Sequence, residues 1–115
     1  MGYSNLPTEE AEQIALFQWL NANKIPAFHV NNEMYTKSWK QKRRARLMGV
    51  QSGVPDVFVV LPTHVIAIEL KRKRGGVVSA NQKWWIDKPN KSNLPTIVAC
   101  GAEEAIEFIE REMKS

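Results

Sequence analysis

The sequence lacks the features of several common protein classes. Its single cysteine, Cys100, allows no internal disulfide and no multi-cysteine zinc site. No apolar run approaches the ~20 residues of a membrane span, and the N-terminal segment MGYSNLPTEE lacks the basic region and apolar core of a secretory signal. We therefore expect one domain, residues 1–115, in a reducing cytoplasm, with Cys100 as a small buried apolar side chain.

Acidic residues are scarce in the middle of the chain. The segment Lys37–Lys91 holds thirteen lysines and arginines but three acidic residues, which gives it a net charge of +10. Six of the ten residues from Lys37 to Arg46 are basic, namely Lys37, Lys40, Lys42, Arg43, Arg44 and Arg46. A solvated charged surface would also explain such a run. Its density favours a polyanionic partner, and we interpret the segment as a nucleic-acid-binding one.

Hydrophobic periodicity and capping signals predict the element order α-β-α-β-β-α-β-α. This order is typical of an α/β domain with a mixed central sheet covered by helices. The predicted helices are Pro7 to about Asn21, Trp39–Met48, Ser79 to about Asp87, and Ala102–Lys114; the predicted strands are Ile25–Val30, Val57–Leu61, Val65–Leu70 and Leu94–Cys100. Residues 88–93 are predicted as a loop, and Ile106, Ile109 and Met113 are expected to face the core.

Charged residues stand at the open end of a predicted hairpin. Asp56 precedes its first strand, and Glu69 and Lys71 close its second. If Pro62 and Thr63 are the central residues of the turn, Asp56 lies opposite Glu69. The three charged side chains then converge on one face of the sheet, whereas a three-residue turn would move Asp56 to the other face.

Two carboxylates at such a position have the donor chemistry of a magnesium site. Phosphodiester hydrolysis needs a nucleophilic water and stabilisation of the departing oxygen, and divalent cations supply both. Asp56 and Glu69 are the candidate ligands, with the Leu70 carbonyl as a further oxygen. Lys71 could orient the attacking water or stabilise negative charge. The alternative is a surface ion pair of Lys71 with either carboxylate, and the D…E-x-K pattern alone does not decide between them.

Helical spacing places other polar side chains beside the buried stripes. Gln13 and Glu9 extend the apolar stripe of the first helix towards its N-terminus. On spacing alone, the better interpretation is that Glu9 is only a first-turn helix residue and Gln13 a half-exposed one. Ser79 and Gln82 have the spacing of a capping box, which places Gln82 at the polar end of the third helix's apolar face.

The motif Gly53-Val54-Pro55-Asp56, twelve residues, then Glu69-Leu70-Lys71 resembles the signature of PD-(D/E)XK nucleases. The chain as a whole is similar to the virus-type replication-repair nuclease (VRR-NUC) domain, especially to its small stand-alone members encoded by phages. The further matching features are Glu9 with Gln13, like the family's E-x-x-x-Q element; Asn32 after a strand; Ser79–Trp84, like its S-x-x-Q-x-x-W helix; and Gly101–Ile106, like its closing helix. The chain departs from the pattern by having no glycine directly after Asn32 or within Asp87–Asn93.

The resemblance implies a restriction-endonuclease-like fold and a deoxyribonuclease that uses Mg²⁺ or Mn²⁺. It implies that Asp56, Glu69 and the Leu70 carbonyl bind the metal and that Lys71 is catalytic. Glu9 would add a metal-binding carboxylate, with Glu10 and Glu12 as alternatives, and Gln82 would support Lys71 or the substrate.

The resemblance also bears on the substrate and on its partners. Small members of the family tend to be homodimers that act on four-way junctions, which implies branched DNA in a bacterial or phage-infected cell. A monomeric flap or single-strand-end nuclease is one alternative, and a non-catalytic nucleic-acid-binding module is another. The residues predicted to contact DNA are Asn32, the six basic residues of Lys37–Arg46, and Arg72, Lys73 and Arg74. We interpret the tryptophans as core or interface residues rather than base-stacking ones, and Trp39, within the basic segment, is the exception to test.

Overall fold

The computed structural model describes residues 6–30, 38–49, 51, 53–74, 76–91 and 93–114. Its elements follow the predicted order, and the mixed α/β architecture is confirmed. The helices are α1 (Glu9–Ala22), α2 (Trp39–Leu47), α3 (Ala80–Lys91) and α4 (Ala102–Met113), and the strands are β1 (Ala27–His29), β2 (Val57–Val60), β3 (Val65–Lys71) and β4 (Thr96–Cys100). No helix in these ranges is long and apolar enough to cross a bilayer.

The four strands form one sheet in the order β1-β2-β3-β4. The first three are antiparallel, and β4 runs parallel to β3 because α3 carries the chain back across the sheet. In the β2–β3 hairpin Val60 pairs with Val65 and Val57 with Ile68. This is the register predicted from the Pro62-Thr63 turn, and it brings Asp56 level with Glu69.

The hydrophobic core lies between one face of the sheet and the helices α1 and α4. The inward side chains of β2 and β3 are fully buried and meet apolar stripes of both helices. The core consists mainly of Leu16, Leu20, Val57, Val59, Ile66, Ile68, Leu70, Ala105, Phe108 and Ile109. Burying each large aliphatic side chain contributes roughly 1.5–3 kcal/mol, so this layer holds the sheet rigid beneath the charged residues.

Helix α3 is longer than predicted, because it continues to Lys91 with Pro89 inside it. The prediction of a loop from residue 88 is therefore wrong for its first four residues. The side chain of Asn90 stabilises this last turn. Its Nδ2 donates to the carbonyls of Ile86 at 2.9 Å and Thr96 at 2.8 Å, and its Oδ1 accepts the Thr96 N–H at 2.7 Å.

Two predicted core positions are more exposed than expected. Met113 is 50% exposed, because the buried stripe of α4 passes through Phe108 and Ile109 to Glu112 instead. Glu112 is half-buried, and its Oε1 lies 2.8 Å from Nε2 of His64. Cys100, at the end of β4, is partly exposed rather than buried.

Candidate active site

Asp56, Glu69 and Lys71 lie together at the open end of the β2–β3 hairpin. Oδ1 of Asp56 accepts the backbone N–H of Leu70 at 2.9 Å, which fixes the carboxylate beside β3. Glu69 is 4% exposed, and its Oε2 lies 3.4 Å from Nζ of Lys71. The structure thus brings together the three side chains that the hairpin register predicted to converge.

The Leu70 carbonyl points towards the same space. In an antiparallel pair the N–H and C=O of one residue point to the same neighbouring strand. The Leu70 N–H points to Asp56, so its carbonyl also points to that side, beyond the first residue of β2. The Lys71 carbonyl points the other way, since it accepts the Gly101 N–H at 2.8 Å.

The two carboxyls resist ionisation. Burial, with the neighbouring charge of Asp56, raises the pKa of Glu69 to about 7 against the opposing effect of Lys71. Burial also raises the pKa of Asp56, against the opposing Leu70 hydrogen bond. The charge of Glu9 raises both pKa values further, which places Glu9 within electrostatic range of the pair. A divalent cation would offset this crowding of negative charge, so the donor set fits a hard metal ion.

Gln82, near the start of α3, joins the lysine to a carboxylate. Its Oε1 accepts from Nζ of Lys71 at 3.3 Å, and its Nε2 donates to Oε2 of Glu69 at 2.9 Å. The same Oε1 accepts the Ser79 N–H at 2.9 Å, and Ser79 Oγ accepts the Gln82 N–H at 3.2 Å. The predicted capping box is therefore present, and it holds the amide in place between Lys71 and Glu69.

The glycine before Asp56 allows α3 to approach this closely. Gly53 has φ +84, and a Cβ at this position would lie 2.6 Å from the backbone carbon of Asn81. Any larger residue would push the start of α3, and Gln82 with it, away from the hairpin. Pro55, between Gly53 and the carboxylate, is fully buried.

Comparison with known proteins assigns the chain to a family. The family model of the VRR-NUC domain matches residues 8–103. The chain belongs to the VRR-NUC family. A solved structure described as "VRR_NUC domain protein" aligns with a TM-score of 0.79 at 21% identity, over 94% of this chain and 89% of that chain, and it supports the fold. No curated protein matches the sequence. VRR-NUC membership implies a nuclease-type function.

Sequence reasoning missed the role of Glu12 in this VRR-NUC domain. Glu12 is 5% exposed, and its Oε1 accepts the Ala102 N–H at 3.0 Å, at the start of α4. Gly101 precedes α4 with φ +97 and has no side chain to cap the helix. Glu12, a residue of α1, therefore accepts the first free N–H of α4 in its place. The missing cap of α4 was the available signal. Glu9 is exposed and near the carboxylate pair, whereas Glu12 holds two helices together.

His29 is a second residue that the sequence did not single out. Its Nδ1 lies 3.0 Å from the Asp56 carbonyl oxygen, and the Val30 N–H donates to that oxygen at 2.7 Å. These contacts tie the end of β1 to the backbone of Asp56. Gln13, by contrast, is half-buried on α1, as its spacing suggested.

The predicted DNA-contacting residues are for the most part on the surface of the VRR-NUC domain. Helix α2 has no buried residue, and Ser38 and Gln41 cap its start as a capping box. Trp39 is 72% exposed, with the Arg46 guanidinium 6.0 Å from its ring centroid. Lys73 and Arg74 are exposed and Arg72 is half-buried. Asn32 and Lys37 lie outside the described residues.

The described part of this VRR-NUC domain holds no group of three His, Cys, Asp or Glu side chains able to hold a metal ion unaided. Magnesium seldom needs one, because it binds through one or two carboxylates and keeps several waters. Asp56 and Glu69 would provide those carboxylates, with the Leu70 carbonyl beside them and Glu9 at longer range.

Proposed function

We propose that this protein is a Mg²⁺- or Mn²⁺-dependent endonuclease that hydrolyses phosphodiester bonds in branched DNA. One observation carries the proposal. Gln82 links Lys71 to Glu69 at the place where the buried carboxyl of Glu69 meets the half-buried carboxyl of Asp56, both with raised pKa values. A module that only binds DNA has no use for this arrangement, which costs free energy because it buries like charges together.

The reaction adds water to phosphorus and breaks one P–O bond, which leaves a phosphate monoester and an alcohol. A bound divalent cation would lower the pKa of its water and neutralise charge on the departing oxygen. Asp56 and Glu69 would hold that cation, and Glu9 would add negative charge nearby. Lys71 orients the attacking water or stabilises the negative charge that develops on the phosphate oxygens. Gln82 keeps the lysine ammonium directed at this space.

The substrate assignment rests on the cationic surface. Helix α2 and the residues after β3 present basic side chains suited to binding phosphates. Such phosphate contacts position DNA without reading its sequence. A homodimer would present two sites related by a twofold axis, which suits a four-way junction. A monomer would suit flaps or single-strand ends. In either form we place the activity in the cytoplasm of a bacterial or phage-infected cell.

A cleavage panel tests the proposal. Four-way junction, flap, nicked duplex and linear duplex are incubated with Mg²⁺ or Mn²⁺, and the mass of the protein in solution is measured in parallel. We expect branched substrates to be cut, with paired symmetric cuts in the junction if the protein is a dimer. The Glu69→Ala, Asp56→Ala and Lys71→Ala variants should bind DNA and fail to cut it.

Retained cleavage by Glu69→Ala in Mg²⁺ would contradict the site assignment. The exposed basic helix α2 also supports a second function, that of a non-catalytic DNA-binding module. That function predicts salt-sensitive binding with no effect of divalent metal and no cleavage of any substrate.

A further inference from the structure

We propose that Phe28 and Phe58 form a stacking platform for an unpaired base of the DNA, next to the phosphodiester bond that is cut. The inference rests on the proposed function and names a substrate class for the same site. Phe28 on β1 and Phe58 on β2 are cross-strand partners. Their ring centroids are 5.5 Å apart and their planes differ by 9°. This is an offset stack of two rings, the arrangement that aromatic π-systems favour.

The platform lies on the same face of the sheet as the candidate active site. Phe58 follows Asp56 by two residues, and side chains two apart on a strand share a face. Across the hairpin Phe58 pairs with Ala67, which precedes Glu69 by two residues. The side chains of Val57 and Val59 point to the other face, where they are fully buried. Two strand residues advance ~6.6 Å, so the rings begin about one nucleotide from the carboxylates.

The β1–β2 half of this sheet face is exposed among the residues that the structure describes. Helix α3 lies over the β3–β4 side, where Gln82 reaches Glu69 and Lys71. On the β1–β2 side Phe28 is 52% exposed and Val60 40% exposed. Since Phe58 covers one side of the Phe28 ring, the stack ends in a free aromatic surface. The cross-strand pair also strengthens the edge strand, and the exposed side of Phe28 remains available to a further flat ring.

A nucleic-acid base is the occupant that fits this surface. A phosphate bound through a divalent cation at Asp56 and Glu69 would carry its base at about the distance of the rings. Flat aromatic rings bind any base, because every base has a π-face. A base inside intact duplex is already stacked on its neighbours, so the platform favours a nucleotide that has lost its pairing partner. The substrate class is therefore DNA with an unpaired base beside the cleaved bond, as at a branch, flap or frayed end.

The test measures stacking apart from cleavage. A branched DNA carries the fluorescent base 2-aminopurine at the unpaired position beside the branch, and a second DNA carries it inside intact duplex. Each is titrated with protein in Ca²⁺, which takes oxygen ligands as Mg²⁺ does. We expect wild type to quench the unpaired probe. Phe28→Leu, which keeps the apolar volume but removes the π-face, should lose the quenching and bind branched DNA about tenfold more weakly.

Matched variants separate base stacking from a loss of apolar surface and from contact between two copies of the chain. Phe28→Tyr keeps an aromatic ring and should retain the quenching. Val60→Ala removes apolar surface from the same face, two residues beyond Phe58, and should change neither measurement. Unchanged quenching in Phe28→Leu would overturn the inference. It would also be overturned if Phe28→Leu and Val60→Ala both dissociated a dimer in sedimentation while the probe remained quenched, because the face would then join two copies of the chain.

The two proposals fail in different ways. Quenching that depends on Phe28, without cleavage of any DNA in Mg²⁺ or Mn²⁺, would overturn the nuclease mechanism and support the base-binding platform. Cleavage of intact duplex and branched DNA at equal rates, without quenching, would support the nuclease and overturn the platform.

Discussion

Helices α2 and α3 begin with the same capping motif, but the capping glutamine makes further contacts only in α3. Both start with a serine cap followed three positions later by glutamine, and in both the serine and glutamine bond each other's backbone N–H. In α2 the box starts a helix without a single buried residue. In α3 the glutamine amide also bonds Lys71 and Glu69.

The difference shows that the motif and the site are separate properties. A capping box specifies where a helix begins, and any serine and glutamine with suitable spacing can form one. Its position in the fold decides whether the amide has anything further to bond. Gly53 is the feature that sets this position for α3, because its missing Cβ lets the helix approach the hairpin.

The largest difference between the capping boxes of α2 and α3 should appear in the rate of DNA cleavage. We expect Gln82→Ala to lower the cleavage rate by roughly 10–100-fold, as loss of a residue that orients metal ligands commonly does. Gln41→Ala, its matched control, should leave the rate within about twofold, since no catalytic group touches it. Single-turnover rates on a branched DNA measure both. Equal losses would show that Gln82 serves only as a cap.

The carboxyl that Gln82 contacts should make metal binding depend on pH. The pKa of Glu69 is raised to about 7, so its carboxylate is increasingly protonated below that pH. We expect Mg²⁺ affinity to fall about tenfold from about pH 7.5 to about pH 6, because the ligand must lose its proton to bind. Calorimetric titration of the metal measures this, and Glu69→Gln should bind the metal more weakly and with a smaller dependence on pH. A flat profile in wild type would contradict the raised pKa.

The same shift predicts how stability varies with pH. The folded-state pKa values of Glu69 and Asp56 lie above their ordinary values. The contribution of Glu69 to the free energy of unfolding is thus fully present below its ordinary pKa and is lost as the pH rises through about 7. The contribution of Asp56 changes in the same direction. These groups should make the metal-free protein melt at a lower temperature above pH 7 than near pH 5. Added Mg²⁺ should raise the melting temperature above pH 7 and so reduce the difference.

The exposed surfaces of the two helices should differ in DNA binding. The double variant Arg43→Ala with Arg44→Ala should weaken binding several-fold and lower the slope of log affinity against log salt by roughly two. The matched double variant on α3, Lys83→Ala with Lys88→Ala, should leave the slope unchanged. All four side chains are exposed. If both pairs changed the slope equally, α2 would have no special share in binding phosphate.

The smallest effect concerns stability. Replacing either serine cap by alanine should cost about 1 kcal/mol of helix stability. Ser79→Ala should lower the melting temperature by about 4 °C, because α3 packs against the sheet. Ser38→Ala should leave the cooperative transition in place and reduce only the helical circular dichroism, since α2 buries nothing. A matching fall in melting temperature would show that α2 unfolds together with the core.

The features that were predictable from the sequence are those set by near neighbours. The turn at Pro62 and Thr63 fixed the hairpin register, and through it the meeting of Asp56 with Glu69. The capping boxes and most helix limits are local in the same way. Glu9 and Glu12 could not be told apart, because the answer depends on how α1 is rotated against a sheet formed far along the chain. Helix α3 extends beyond its predicted end because Asn90 forms hydrogen bonds with Thr96 of β4, a contact that spacing within the helix does not reveal.

The hydrogen bond from Glu12 to Ala102 has a consequence for the newly made chain. Its partners are 90 residues apart in sequence, so closing that loop must wait until α4 has left the ribosome. Helix α1, which carries Glu9, packs on β3 through its apolar stripe but lacks its hydrogen bond to α4 during most of synthesis. We expect a nascent chain stopped before residue 102 to remain inert towards DNA. A nuclease built in this way would reach its active arrangement only once α4 has folded against α1.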